Sequence, residues 1–259
     1  MKRDPNEDQR IALFIDFENL VTRTGLDPDS FDLQPALDVL LEKGKVVFRR
    51  AYADWTRFAG ATKRLHDHGV EMMDVPPSTR AGKNGADVRL VIDALELAYL
   101  REHIDTFVIA SGDSDFCPLA AKLRENDRTV IGMAVKESTS PLFVKACDEF
   151  VYLRAGGQRR RGEARERDKG DKGSREKEKE QEKVVPEVAR EAAAAILARA
   201  TAPVNPSAIK AAIVRREPDF DERDHGFSSF SRLLEQMEKE GLLRREQGAK
   251  GQWYVLPPA

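Results

Sequence analysis

Four aspartates carry the residue types that could do chemistry in this chain: Asp16, Asp87, Asp113 and Asp115. Ser111, Gly112, Asp113, Ser114, Asp115 and Phe116 follow the apolar run 106–110, which reads as a buried parallel strand, and a helical pattern starts directly after them. Two carboxylates and two hydroxyls therefore stand where a strand ends and a helix begins. In an open α/β sheet that is the edge where ligands bind. Asp16 ends the first apolar run, 11–15, in the same way, with the amide of Asn19 close by. Any one of these acids has an ordinary alternative role as a helix cap or turn former. Several at one rim repel each other unless a cation sits among them. Carboxylate and hydroxyl oxygens suit a hard ion, Mg²⁺ or Mn²⁺. Such an ion can both activate a water and stabilise a leaving oxygen, as phosphodiester cleavage requires.

The elements that would position these acids alternate strand and helix. Apolar runs at 11–15, 45–53, 70–75, 106–110, 128–134 and 150–153 read as strands. Helical spacing occupies 31–41, 57–68, a segment opening at Gly85, 118–124 and 142–146. Alternation of this kind predicts an α/β fold, a parallel sheet flanked by helices. In the helix from Gly85, Val88, Val91, Ile92 and Leu95 recur at helical spacing and are expected to form its core-facing stripe. Asp87 lies in its first turn and flanks that stripe. Asp93, roughly 240° further round, is expected to be solvated or helix-pairing, so Asp87 is the favoured ligand. Residues 76–84 read as a loop whose Arg80 and Lys83 could grip phosphate.

The chain has 259 residues, 41% hydrophobic and 34% charged, with a net charge of −2. Such a balance excludes a uniformly basic nucleic-acid coat, so phosphate contacts must come from local patches or a metal. Two cysteines, Cys117 and Cys147, make no disulfide framework and read as structural thiols of a reducing, cytoplasmic setting. The four histidines lack zinc-ligand spacing. No leader-like segment and no apolar run of about 20 residues predicts a membrane anchor.

Residues 156–183 change character. Eleven Lys and Arg stand against eight Asp and Glu, with no large apolar residue, which reads as a flexible charged linker between domains at 8–155 and 184–259. The last segment regains apolar periodicity as three helices and a β-hairpin, a small winged-helix domain. Arg232, Arg244, Arg245 and Lys250 are its candidate phosphate contacts.

Ile15, Asp16, Phe17, Glu18, Asn19 and Leu20, then Gly85, Ala86 and Asp87, then the 111–116 turn resemble the NYN domains. These belong to the PIN-like nuclease superfamily, and the resemblance lies nearest the LabA-like group. It implies a metal-dependent ribonuclease in which Asp16, Asp87 and Asp113 bind Mg²⁺ or Mn²⁺, Asp115 stands beside them, and Asn19 and Ser111 support the site. Residues 219–234 resemble the OST-HTH, or LOTUS, module, which implies contact with RNA and leaves room for a protein partner. The alternative is an RNA-binding scaffold whose acidic rim is slow or silent; a phosphatase or nucleotide site is a weaker third reading. Self-association is left open.

Overall fold

The computed structural model describes residues 8–22, 24, 26–75, 84–153, 184–200, 202–248 and 251–258. The chain divides into two compact units, Met1–Arg159 and Arg160–Ala259.

In the first unit six strands form one parallel sheet: β1 (Gln9–Asp16), β2 (Gly44–Ala53), β3 (Glu71–Asp74), β4 (Thr106–Ala110), β5 (Thr129–Val135) and β6 (Glu149–Leu153). Their spatial order is β3-β2-β1-β4-β5-β6. The chain builds outward from β1 in one direction, then returns to β1's other side and builds in the opposite direction. Helices therefore cover both faces, and the central strands β1, β4 and β5 are apolar on both. Ile11, Leu13 and Ile15 of β1 pack on one face beneath α1 (Phe17–Val21), α2 (Gln34–Leu41) and α3 (Ala59–Asp67). Ala12 and Phe14 pack on the other beneath α4 (Gly85–Leu100), α5 (Cys117–Glu125) and α6 (Pro141–Ala146).

The sequence-based elements fall within a few residues of these bounds. The largest difference is at 31–33, which precedes α2 and is not helical. Pro35 in the first turn and Gln34, whose N–H is held by the Asp32 carboxylate at 2.9 Å, set that start. Cys117 and Cys147 are both free thiols.

α4 corrects two expectations. Its buried face is Leu90, Ala94 and Ala98, whereas Val88 and Ile92 are 56% and 55% exposed. Of the two roles expected of Asp93, helix-pairing holds, through Arg89, and solvation does not: it is 4% exposed at the centre of an ion-pair network. Arg50 Nη1 and Tyr52 Oη donate to its Oδ2 at 2.8 and 2.9 Å, and Arg89 Nε donates to its Oδ1 at 2.9 Å. Burial, then Asp93 itself, raises the Tyr52 hydroxyl's pKa and keeps it a donor. Arg50 also grips Glu71 of β3 at 2.7 Å. The network thus ties α4 to β2 and β3. The pattern misled because α4 is apolar on two sides, and periodicity alone does not say which side meets the sheet.

The second unit contains α7 (Glu187–Leu197), α8 (Pro206–Val214), α9 (Phe230–Lys239) and an antiparallel hairpin of β7 (Arg244–Gln247) and β8 (Trp253–Leu256). Val204 bridges to Val255 and adds a third short edge. Ala189, Ala193, Ile209, Ile213, Leu233, Leu234 and Met237 join the three helices, and Phe227 and Val255 close the core. Asn205 and Ser229 cap α8 and α9. Gly226 holds φ +81° after a single 3₁₀ turn, a conformation that suits glycine. This is a winged helix. Among the described residues no helix is long and apolar enough to cross a membrane.

Removing the buried carboxylate by Asp93→Ala leaves the Tyr52 hydroxyl and Arg50 Nη1 without their acceptor, while Arg50 keeps Glu71. It is expected to cost about 3–5 kcal/mol in a urea unfolding curve. A loss within the error of the curve would mean the network carries no net stability.

Candidate active site

β1 and β4 are neighbours whose following segments run in opposite directions across the sheet, so a crevice opens at their carboxyl ends. Ile15 pairs with Ala110 in the parallel register, so Asp16 and Ser111 leave the sheet side by side. Side chains alternate along a strand. Asp16 therefore shares the side of Ala12 and Phe14, the face that α4 covers. Asp87, in the first turn of α4, comes to the same rim.

Hydrogen bonds lock the floor of the crevice. Asp16 caps α1, accepting from Asn19 N at 3.3 Å. Ser111 Oγ donates to Asp16 Oδ2 at 3.1 Å and accepts from Asp113 N at 3.3 Å. Gly112 N donates to Asn19 Oδ1 at 3.1 Å. Asp113 caps the 3₁₀ turn Ser114–Phe116, accepting from Asp115 N at 3.0 Å. The capping roles and the site geometry thus coexist in the same side chains. Gly112 is required by close approach: a Cβ there would stand 2.5 Å from the Ser138 carbonyl oxygen.

The electrostatics are one-sided. Asp16 is 4% exposed, and its pKa is pushed up to about 7, first by burial and then by the charge of Asp87, with Asp113 adding to it. The hydrogen bonds from Asn19 and Ser111 oppose that rise without cancelling it. Asp87 is raised by burial and then by Asp113, Asp115 and Glu18, so the charges acting on it are all carboxylates. Glu18 itself pairs with Arg57. Asp87 and Asp113 are partly buried and Asp115 is exposed. Cys117 sits near Asp113 and Asp115, and burial raises its thiol above the usual range, which disfavours a nucleophilic role.

Asp16 therefore lies in the field of Asp87 and Asp113, and Asp87 in that of Asp113 and Asp115. Among the described residues no three His, Cys, Asp or Glu side chains stand together as a ready-made metal cage. The donor set still fits a hard divalent ion in kind, being oxygen only and anionic, with carboxylates as the charges that raise Asp16 and Asp87. An open concavity lined by Arg124, Asp127, Arg128 and Asp148 lies at the opposite edge of the sheet, before β5, away from the acids.

The basic candidates are distributed differently. Arg80, Lys83 and Lys250 lie outside the described residues. Arg232 and Arg244 are exposed, Arg232 pairing with Glu235 at 2.6 Å and Arg244 donating to the Pro257 carbonyl at 3.2 Å. Arg245 is held by Glu238 at 2.9 Å, and its guanidinium lies 5.1 Å from the Trp253 ring centroid. Sequence reasoning missed Trp253, an exposed aromatic on β8, and the Arg50 half of the Arg50–Asp93–Arg89 network behind the rim. The helical spacing of Arg89 and Asp93 signals the helix-pairing half alone.

Residues 10–154 match the NYN domain family, and residues 183–254 match the OST-HTH/LOTUS domain. An uncharacterised protein of Methanocaldococcus jannaschii is 28% identical over 146 residues, 56% of this chain and 56% of that protein. The chain thus spans about half the length of that curated relative. A protein of unknown function from Vibrio parahaemolyticus has a similar structure, with a TM-score of 0.50 and 24% identity. That likeness covers 59% of this chain and 97% of the other, and it bears on the fold alone.

The Asp16 carboxyl has a testable signature. In the fold it keeps its proton up to about pH 7, against 3.8 for an ordinary aspartate. Between those values the folded state binds more protons than the unfolded one. Stability therefore falls as pH rises through that window and levels off above it. The fall is roughly 4 kcal/mol at most. Urea midpoints measured in chelator should decline over this range, and Asp16→Asn should flatten most of the decline. Parallel curves for wild type and variant would show that Asp16 ionises as a surface acid does.

Proposed function

The chain belongs to the NYN domain family, a branch of the PIN-like nucleases, and from that premise we propose that it is a divalent-metal-dependent ribonuclease with a tethered RNA-binding module. The observation that supports this reading is the carboxylate field at the β1–β4 crevice, where Asp87 and Asp113 raise the cost of ionising Asp16, and Asp113 and Asp115 raise that of Asp87. A buried, like-charged set destabilises a fold and is retained where a ligand compensates it.

Asp16, Asp87 and Asp113 would hold Mg²⁺ or Mn²⁺. A bound ion of this type polarises a phosphoryl oxygen and lowers the pKa of a water. Asp16 is the fixed reference, clamped by Ser111 and Asn19. Asp87 and Asp113 are less buried and would complete the ligand set from α4 and from the turn after β4. Asp115, exposed and outside the clamp, is the carboxylate left to accept a proton from the attacking water. Ser111 and Asn19 support the site by keeping the two strand ends in register. The winged helix, with exposed Arg232 and Arg244, would bind the RNA backbone; Arg80, Lys83 and Lys250 are further candidate contacts. Arg245, already neutralised by Glu238, would contribute less. Tethering raises the concentration of bound RNA at the acidic rim. A protein partner for the winged helix and a cytoplasmic setting remain part of the same proposal.

The second reading, an RNA-binding scaffold with a silent rim, draws on the absence of a ready-made metal cage among the described residues. Cleavage of labelled RNA with Mg²⁺ or Mn²⁺ separates the two. Wild type is expected to cut, Ser111→Ala to lose about 10- to 100-fold through the supporting hydrogen bond, and Asp113→Asn to lose more. Equal rates for wild type and Asp113→Asn would contradict the ribonuclease reading and leave the scaffold.

A further inference from the structure

α4 offers a second apolar row on the side away from the sheet. Val88, Ile92, Leu95 and Tyr99 follow one another at intervals of four, three and four. Val88, Ile92 and Tyr99 are 56%, 55% and 61% exposed, and Leu95 is partly buried at the row's inner margin. A contiguous exposed row on a helix marks an interaction surface more strongly than scattered single residues do. The interval is that of a coiled-coil seam, with Val88 and Leu95 at d and Ile92 and Tyr99 at a. Arg89 and Glu96 then occupy the e positions on the solvent flank, both exposed. Val91 and Ala98 occupy the g positions on the flank nearer the sheet.

We propose that this row is the contact face of a twofold-symmetric dimer, in which α4 packs antiparallel against α4 of a second copy of this chain. Charge complementarity fixes both the occupant and the direction. In an antiparallel helix pair e faces e, so Arg89 of one copy meets Glu96 of the other, and the dyad repeats the pair. In a parallel pair e faces g, and Val91 and Ala98 offer no charge. The seam is self-complementary in the same direction: Ile92 lies against Leu95 of the second copy, and Tyr99 against Val88, large against small. Arg89 can serve both contacts, since its Nε binds Asp93 while the side chain stays 51% exposed. A single helix pair buries less than a standard interface, so the dimer should dissociate on dilution. This inference is independent of the ribonuclease reading, because none of the four rim acids belongs to the row.

The test is sedimentation of the full chain over a concentration series. Wild type is expected to pass from monomer to dimer as concentration rises. Ile92→Asp should remain monomeric throughout. Glu96→Arg, which sets two arginines against each other at both ends of the dyad, should raise the dissociation constant by about tenfold or more. Both positions are exposed, and circular dichroism melts of each variant confirm that the fold is kept. A wild type that stays monomeric at every concentration overturns the proposal. So does a dimer whose dissociation constant is unmoved by either substitution.

Discussion

The constraint on which the rest depends is the burial of one carboxylate at a strand end. Asp16 stands 4% exposed where β1 leaves the sheet, held by Ser111 and Asn19. The strand order puts β1 beside β4, and the parallel register puts Asp16 beside Ser111. Strand alternation turns Asp16 toward α4, whose first turn carries Asp87. A small number of geometric rules thus bring residues about 70 and 95 positions apart in sequence to one rim. That arrangement is costly without a compensating ligand, and the cost is what points to function.

Much of this was legible in the sequence, for a physical reason. Strands buried on both faces read as unbroken apolar runs, so 11–15 and 106–110 announce themselves, and the acids at their ends follow directly. The convergence of Asp16, Asp87 and Asp113 follows from the strand order, which alternation of elements suggests but does not fix. The orientation of α4 was not legible. Val88 and Ile92 form a cleaner stripe than Leu90, Ala94 and Ala98, yet the small residues are the ones that let the helix lie close on the sheet. The burial of Asp93 was not legible either, because its partners Arg50 and Tyr52 come from β2, about 40 residues away in sequence. A buried ion pair made across such a separation leaves no local pattern.

The winged helix shows the same contrast. Leu233, Leu234 and Met237 recur at helical spacing, and all three are buried. Charge was less readable. Arg244 and Arg245 are adjacent in sequence, but on a strand they point to opposite sides. One is exposed, and the other is committed to Glu238 and to the face of Trp253. Counting basic residues therefore overstates the surface available to a phosphate backbone.

The central claim is that the rim acids together hold a divalent cation. Isothermal titration of the full chain with Mn²⁺, in buffers of different ionisation enthalpy, tests it most directly. A carboxyl that keeps its proton to about pH 7 must release it when the ion binds. The account predicts saturable binding with net proton release on the acid side of that value, little release on the alkaline side, and loss of both in Asp16→Asn. Binding that is absent, or that is unchanged in heat and proton release by Asp16→Asn, would contradict it.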